Sequence, residues 1–250
     1  MSLYNKTEAV VLRQHDFGEA NKVVTLYTKN FGKLRAVAKG VRRTKSRFGS
    51  SMELFSYNQL MLYMQRKRDL CIVTGSNIIR SHKELRENFD WFVTGSCVAE
   101  LVDKLTEPEE PNRYLFSLIL DAFHQIPGQD RDIIIAIFVT KFLANLGYRL
   151  NLEKCVVCER PVALADQKKL SIQQGGLLCS RCQSRDLQAV DVSSLALEYL
   201  KKFAIINLAK IGKIDVEIPV KDELKRIVHF YLSHYLPGTL KTEDFMEKLI

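Results

Sequence analysis

Hydrophobic and polar positions change their period once along this 250-residue chain, near Arg80. Before that point apolar residues recur at every second position. Ala9–Leu12 is a short apolar run after a polar start, and Val23, Thr25 and Tyr27 alternate with Val24, Leu26 and Thr28. Asn30-Phe31-Gly32 predicts a turn. After it, Leu34, Ala36 and Ala38 alternate with Lys33, Arg35, Val37 and Lys39, which gives one face to a core and a mostly cationic face to solvent. Gly40 to Ser50 reads as loop. From Phe55 to Met64, Leu60, Leu62 and Met64 share one face, and Gln59, Met61 and Tyr63 share the other. Leu70–Ile79 is rich in β-branched residues and carries Gly75, a candidate bulge. Five strands and one long basic loop predict a small barrel, and a five-stranded OB-fold is the economical form.

Beyond Arg80 the period is helical. Val98, Leu101, Val102 and Leu105 follow i, i+3, i+4, i+7, and this helix is expected to stop near Thr106. Glu107-Pro108-Glu109-Glu110-Pro111 reads as a rigid, solvated connection. Leu115, Leu118, Ile119 and Ala122 open a second helix that ends near Pro127-Gly128. Arg131–Tyr148 is apolar on most sides and predicts a buried central helix. Ser194–Ile211 predicts another, and Leu224, Ile227, Val228, Tyr231, Leu232 and Tyr235 a last one, stopped by Pro237-Gly238. The fold class is therefore α+β: an N-terminal OB-fold β-barrel over residues 1–80, then an α-helical domain over 81–250, interrupted by a small module at 151–190.

That interruption holds four of the six cysteines. Cys155-Val-Val-Cys158 is followed, after twenty residues, by Cys179-Ser-Arg-Cys182. Two residues between thiols let both sulfurs of one knuckle reach the same ion, and two knuckles complete a tetrahedron. The pattern predicts one structural Zn²⁺, with no open position for catalysis. Disulfides are the competing reading, and a reducing cytosol disfavours them. Leu170-Ser-Ile172 and Gly175-Gly176-Leu-Leu178 read as a hairpin that delivers the second knuckle. Four thiolates and Zn²⁺ sum to −2 and lower the formal charge from +8 to +6. Cys71 and Cys97 sit in apolar stretches and read as small buried hydrophobes. The five histidines have no partner at ligand spacing and read as structural or surface residues.

Charge changes the picture more than composition does. Residues 1–80 carry 15 Lys+Arg against 5 Asp+Glu, a net of +10, while residues 81–250 carry 22 against 24. Lys33, Arg35, Lys39, Arg42, Arg43, Lys45 and Arg47 place seven cations in fifteen residues with no acid between them, and Arg66-Lys67-Arg68 adds three at an expected hairpin tip. Such an acid-free run on an OB barrel predicts a polyanion surface, with an ordinary solvated face as the alternative, and phosphate contact explains its cations without demanding sequence readout. Tyr57, Tyr63 and Phe48 are candidate stacking platforms; the two tyrosines have packing against the helices as an equal alternative, and Phe48 is expected to act from a mobile loop. The longest fully apolar run, Ile133–Val139, is far too short to span a bilayer, and Met1–Lys6 has no signal-type core, so a cytoplasmic protein without membrane contact is expected. There is no Gly-x-x-x-x-Gly-Lys-[Ser/Thr] phosphate loop, no Gly-x-Gly-x-x-Gly and no evident nucleophile–base pair, which argues against an NTPase and an enzyme in general.

Three further blocks add specificity: Val10-Val-Leu-Arg13 with Asp16-Phe-Gly-Glu-Ala-Asn-Lys-Val-Val-Thr-Leu26, then Phe31-Gly-Lys33 with Ala38-Lys-Gly-Val-Arg-Arg43, and in the helical part Ala99-Glu-Leu-Val-Asp103 with Asn112-Arg-Tyr-Leu-Phe116. With the two knuckles, in this order, the whole chain resembles the RecO family of bacterial DNA repair and recombination mediators. The resemblance implies an OB barrel, a helical domain and a zinc-binding insertion. It implies binding of single- and double-stranded DNA, annealing of complementary strands, and work with RecR and the single-stranded DNA-binding protein to load RecA. It implies no catalytic residue and no nucleotide cofactor. Its basic surface carries over to Lys33, Arg35, Lys39, Arg42 and Arg43; Lys45, Arg47, Arg66, Lys67 and Arg68 are added from charge alone. Some family members lack the cysteines, so zinc is expected here only because all four are present. The alternatives are an RNA-binding zinc and OB protein of translation or RNA processing, and a metal-dependent nuclease with carboxylates gathered from distant segments.

Overall fold

The structure is a computed structural model that describes residues 3–64, 70–162, 167–236, 240 and 242. Contacts divide the chain into two compact units, residues 1–127 joined by Leu240 and Thr242, and residues 128–239.

The first unit begins with five strands: β1 Tyr4–Phe17, β2 Asn21–Thr28, β3 Gly32–Ala38, β4 Tyr57–Tyr63 and β5 Leu70–Arg80. They close into a barrel in the order β1-β2-β3-β5-β4, with β4 returning to β1. The β3–β5 pair is parallel and the rest are antiparallel. This is the predicted five-stranded OB barrel. β1 outruns its apolar core because it serves two neighbours. Tyr4–Val10 pair with β4 and Ala9–Phe17 with β2, and a register shift between Val11 and Arg13 supplies the bend. The Gly75 reading also holds: the β4–β5 register shifts between Met61–Gly75 and Leu62–Val73.

Ala9, Val11, Val24, Leu26, Leu34, Ala36, Leu60, Leu62 and Val73 fill the barrel. The long segment between β3 and β4 completes that core. It is a run of turns, closed by bonds such as Arg43 N–H to the Gly40 carbonyl (3.2 Å) and Ser51 N–H to the Phe48 carbonyl (3.0 Å). Its Val41, Phe48 and Met52 point inward and belong to the barrel core. Phe48 is only 3% exposed, so the expected role as a mobile stacking residue is wrong. An aromatic ring this apolar is worth more as a plug than in water.

At the end of the same segment Phe55 turns outward from the barrel in a left-handed conformation (φ 68°) and is fully buried. Its ring meets Phe92 at 5.8 Å and Phe123 at 5.1 Å. These partners lie on α2 Phe89–Leu105 and α3 Arg113–Gln125, which follow the short α1 Lys83–Glu87. Asn88 and Asn112 cap α2 and α3 by accepting from Trp91 N–H and Leu115 N–H. The acidic connection between α2 and α3 is solvated, as its prolines suggested, with Glu107–Pro111 all exposed, and backbone contacts also tie it down. Glu109 N–H donates to the Lys33 carbonyl at 3.0 Å, and Lys33 and Pro108 form a bridge, so the connection runs along the start of β3. Gly32 permits this: its φ is +65°, and a Cβ there would drive into the Glu110 backbone.

The second unit contains α4 Arg131–Asn145, a four-stranded sheet of β6 Asn151–Cys155, β7 Lys168–Ser171, β8 Gly176–Cys179 and β9 Val190–Asp191, and then α5 Ser194–Ile205 and α6 Ile218–Tyr235. The sheet order is β6-β8-β7-β9, and β7 and β8 form the expected antiparallel hairpin. α4 is buried on most sides, and Asp130 caps it while pairing with Lys221 at 3.0 Å. α5 stops six residues earlier than its pattern suggested, because Asn207 takes the Ala209 N–H and opens a separate 3₁₀ turn, Leu208–Lys210. Leu224, Ile227, Val228, Tyr231 and Leu232 form the buried face of α6, as their spacing predicts. Pro237-Gly238, read as the stop of that helix, lies outside the described residues.

Candidate nucleic-acid interface and metal centre

The basic run divides into cations held by the protein and cations offered to solvent. Lys33, at the start of β3, is mostly buried: its Nζ contacts the Asp103 backbone carbonyl and lies 3.7 Å from the Asp103 carboxylate. Arg13 approaches the same carboxylate at 3.9 Å. Lys22 pairs with Glu53 at 2.9 Å and Lys29 with Glu8 at 2.7 Å. Arg35, Lys39, Arg42, Arg43, Lys45 and Arg47 are exposed. Among the described residues, Arg35, Lys39, Arg43 and Lys45 form no ion pair, and Arg42 makes only a solvent-exposed one to Asp16 at 3.3 Å. An exposed pair of this kind is worth under about 1 kcal/mol, so a phosphate can displace Asp16. Arg66, Lys67 and Arg68 lie outside the described residues.

Local structure presents the five loop and strand-end cations. β3 alternates inward Leu34, Ala36 and Ala38 with outward Lys33 and Arg35. Asn21 Oδ1 accepts the Gly40 N–H at 2.9 Å, and the Ala20 carbonyl accepts the Arg42 N–H at 3.1 Å. The β1–β2 turn therefore grips the basic segment at its root, while Val41 and Phe48 anchor it from below. The guanidinium of Arg47 sits over the Phe48 ring, 5.1 Å from its centroid. This support went unseen in the sequence.

The tyrosines separate. Tyr57 donates its hydroxyl to Glu8 and packs edge-on against Phe116 at 5.9 Å, which is the helix-packing alternative. Bonds from Lys29 first, then from Tyr57, hold Glu8 below the usual carboxylate range. Tyr63 meets Tyr4 at 5.0 Å, and Tyr4 is largely exposed.

The four knuckle cysteines converge. All four sulfurs lie within 4.8 Å of one another, and among the described residues they are the one such group able to hold a metal ion. Cys158 Sγ and Cys179 Sγ are 3.7 Å apart. A tetrahedral ion with bonds of about 2.3 Å sets sulfurs about 3.8 Å apart, so the spacing fits zinc. β6 delivers Cys155, β8 delivers Cys179, and the turns after them deliver Cys158 and Cys182. The first turn closes with Glu159 N–H on the Cys155 carbonyl (2.9 Å), with Glu159 itself left-handed, and the second with Cys182 N–H on the Cys179 carbonyl (2.8 Å). Burial works against a charged Cys155, but N–H groups of Cys179, Cys158 and Val157 aim at its sulfur and bring its pKa down to about 6. Burial and then the neighbouring thiols push Cys182 up to about 12. Four sulfurs this close cannot all carry charge without a cation among them. Cys71 and Cys97 are buried in the first unit, as read.

The chain thus combines a closed OB barrel that carries an exposed cationic segment with helices and a four-thiol module. Two family models match in tandem: Recombination protein O N terminal over residues 1–82 and Recombination protein O C terminal over residues 86–244. The chain belongs to the RecO family. It is 34% identical to the DNA repair protein RecO of Halalkalibacterium halodurans over 99% of this chain and 96% of that protein. It is 32% identical to the DNA repair protein RecO of Bacillus mycoides, over 99% of this chain and 98% of that one. These relatives give no support to the RNA-directed alternative. Among the described residues no helix is long and apolar enough to cross a membrane.

Proposed function

We propose that this chain is a non-catalytic recombination mediator. It binds single- and double-stranded DNA through Arg35, Lys39, Arg42, Arg43, Lys45 and Arg47, with Arg66, Lys67 and Arg68 contributing by their charge and Lys33 adding charge from its pocket at Asp103. The observation that carries this reading is the exposed, acid-free basic segment held on a rigid barrel plug. Two complementary strands repel each other. A surface with several cations lowers that repulsion and concentrates both strands, and base pairing then drives annealing without an active site or ATP.

In the cell, the bacterial cytoplasm at the nucleoid, the protein acts with RecR on DNA coated by the single-stranded DNA-binding protein, and RecA follows. The acidic, apolar tail of the coating protein needs an apolar groove with cations at its rim. A groove of about 110 Å³ in the second unit is a candidate: Ala144, Leu152, Leu200 and Val228 line it, with Arg149 at the edge and Lys201 paired there with Glu153 at 3.0 Å, a pair the tail would have to displace. One Zn²⁺ at Cys155, Cys158, Cys179 and Cys182 supplies structure, not reactivity, because four thiolates close its coordination. The module carries six Lys+Arg against four Asp+Glu, which the loaded site cancels, so it serves structure or protein contact better than DNA.

Annealing of complementary oligonucleotides, bare and coated, tests the reading. ATP-independent acceleration that charge reversal at Arg42 and Arg43 removes is the expected result. Unchanged annealing in that variant, or a preference for RNA, contradicts it.

A further inference from the structure

A second feature of the barrel lies outside the basic segment. β1, β4 and β5 run side by side, and their outward residues fall in rows: Tyr4 opposite Tyr63, Lys6 opposite Met61 opposite Gly75, and Glu8 opposite Gln59 opposite Asn77. Because Gly75 has no side chain, the middle row is hollow. A cleft of about 370 Å³ opens there, lined by Lys6, Arg47, Gln59, Met61, Gly75 and Asn77. That volume is in the range of small-molecule sites, about 300–1,000 Å³.

The lining has three kinds of chemistry in one place. Lys6 and Arg47 bring positive charge, and Arg47 is oriented by its contact with the buried Phe48 ring. Gln59 and Asn77 bring amides, each a donor and an acceptor. Met61 is 37% exposed and gives an apolar wall. The one carboxylate in these rows, Glu8, is already engaged by Lys29 and Tyr57. Next along the same face lies the Tyr4–Tyr63 ring pair.

We infer that this face is a single-nucleotide subsite. Lys6 and Arg47 hold one phosphate, the hollow over Gly75 takes one unstacked base against Met61, the amides of Gln59 and Asn77 meet its edge, and Tyr4 or Tyr63 stacks the next base. Arg47 joins this subsite to the basic segment, so a single strand passes from one to the other. A duplex keeps its bases paired and cannot fill the hollow. The subsite therefore separates single strands from duplexes, which phosphate contacts alone do not do. This inference rests on the DNA-binding reading above.

The test compares binding of a fluorescent oligothymidine and of a duplex of equal length to the full chain and two variants. Gly75→Leu fills the hollow, and its new Cβ meets only Met61 Cβ, at an ordinary 3.7 Å. Asn77→Leu changes an exposed amide and leaves the barrel core untouched. Loss of one stacked base predicts single-strand affinity lower by about five- to tenfold in Gly75→Leu, and less in Asn77→Leu. Duplex affinity, salt slope and thermal midpoint stay as in the parent. Unchanged single-strand affinity in both variants overturns the inference, and so does an equal loss on both substrates. If these variants instead weaken only assembly with a protein partner, the face is a protein surface and the inference fails. If the parent chain binds neither DNA, the DNA-binding reading falls first.

Discussion

The barrel and the four-cysteine module solve the same problem, holding a short irregular segment in place, by opposite means. The barrel uses apolar burial. Its basic segment is long and lacks regular structure, yet Val41, Phe48 and Met52 fix it to a core of more than ten buried side chains. The module has four short strands and few buried residues, chiefly Leu152, Leu170, Ile172, Leu177 and Leu178. Its two turns are closed by backbone bonds and gather four thiols that could hold a metal ion. The first arrangement presents charge without any ligand to complete it. The second, on the reading proposed above, is completed by its metal.

Metal removal gives the largest expected separation between the two. Chelation should release one zinc per chain and melt the module, because a closed thiolate site supplies most of the folding energy of so small a sheet. Limited proteolysis should then cut between residues 151 and 190 and spare the barrel. Equal protection of the module before and after chelation would break the comparison.

The joint between the barrel and its helices has its own test. Phe55→Ala empties a fully buried site between the barrel and α2 and α3, and should cost about 3–5 kcal/mol in urea unfolding of the first unit. Zinc content should not change. Charge reversal at Arg42 and Arg43 comes next in size for the fold, with an expected change near zero in melting temperature, because both side chains are exposed. Its effect belongs to binding: each lost phosphate contact lowers the single-strand salt slope by about 0.7.

pH has a small expected effect on the first unit. His82 is buried, its Nδ1 lies 2.9 Å from the Phe55 carbonyl, and burial lowers its pKa below the ordinary 6.5. The folded form thus binds its proton less readily than the unfolded form. Its contribution is fully present above about pH 6.5 and is lost as pH falls through the lowered value. Urea midpoints measured from pH 7.5 to 5 should decline, and the decline should flatten in His82→Asn.

What the sequence made legible follows from how local each signal is. Strand periodicity placed all five barrel strands, because alternation needs only neighbours. Cys-x-x-Cys spacing pointed to the four-thiol cluster, because knuckle geometry is local too. Phe48 misled because its neighbours are Gly, Ser and Arg, and nothing in that context marks a core residue. The Glu107–Pro111 connection is exposed as its composition says, but its contact with Lys33 was hidden because that residue lies some seventy residues back in the chain. The engagement of Lys33 by Asp103 was hidden for the same reason, whereas the exposure of Arg42 and Arg43 could be read from their place in a polar loop. The Gly75 hollow needed β-register across three strands, and a lone glycine said only that a bulge was near.

Phosphate neutralisation by the barrel's basic segment is the proposed source of DNA affinity, and the salt dependence of single-strand binding measures it most directly. If about four or five phosphates are neutralised, log K should fall against log salt with a slope of about −3, and the slope should shrink when Arg42 and Arg43 are reversed to Glu. A slope near zero, or one that the double reversal leaves unchanged, would contradict it.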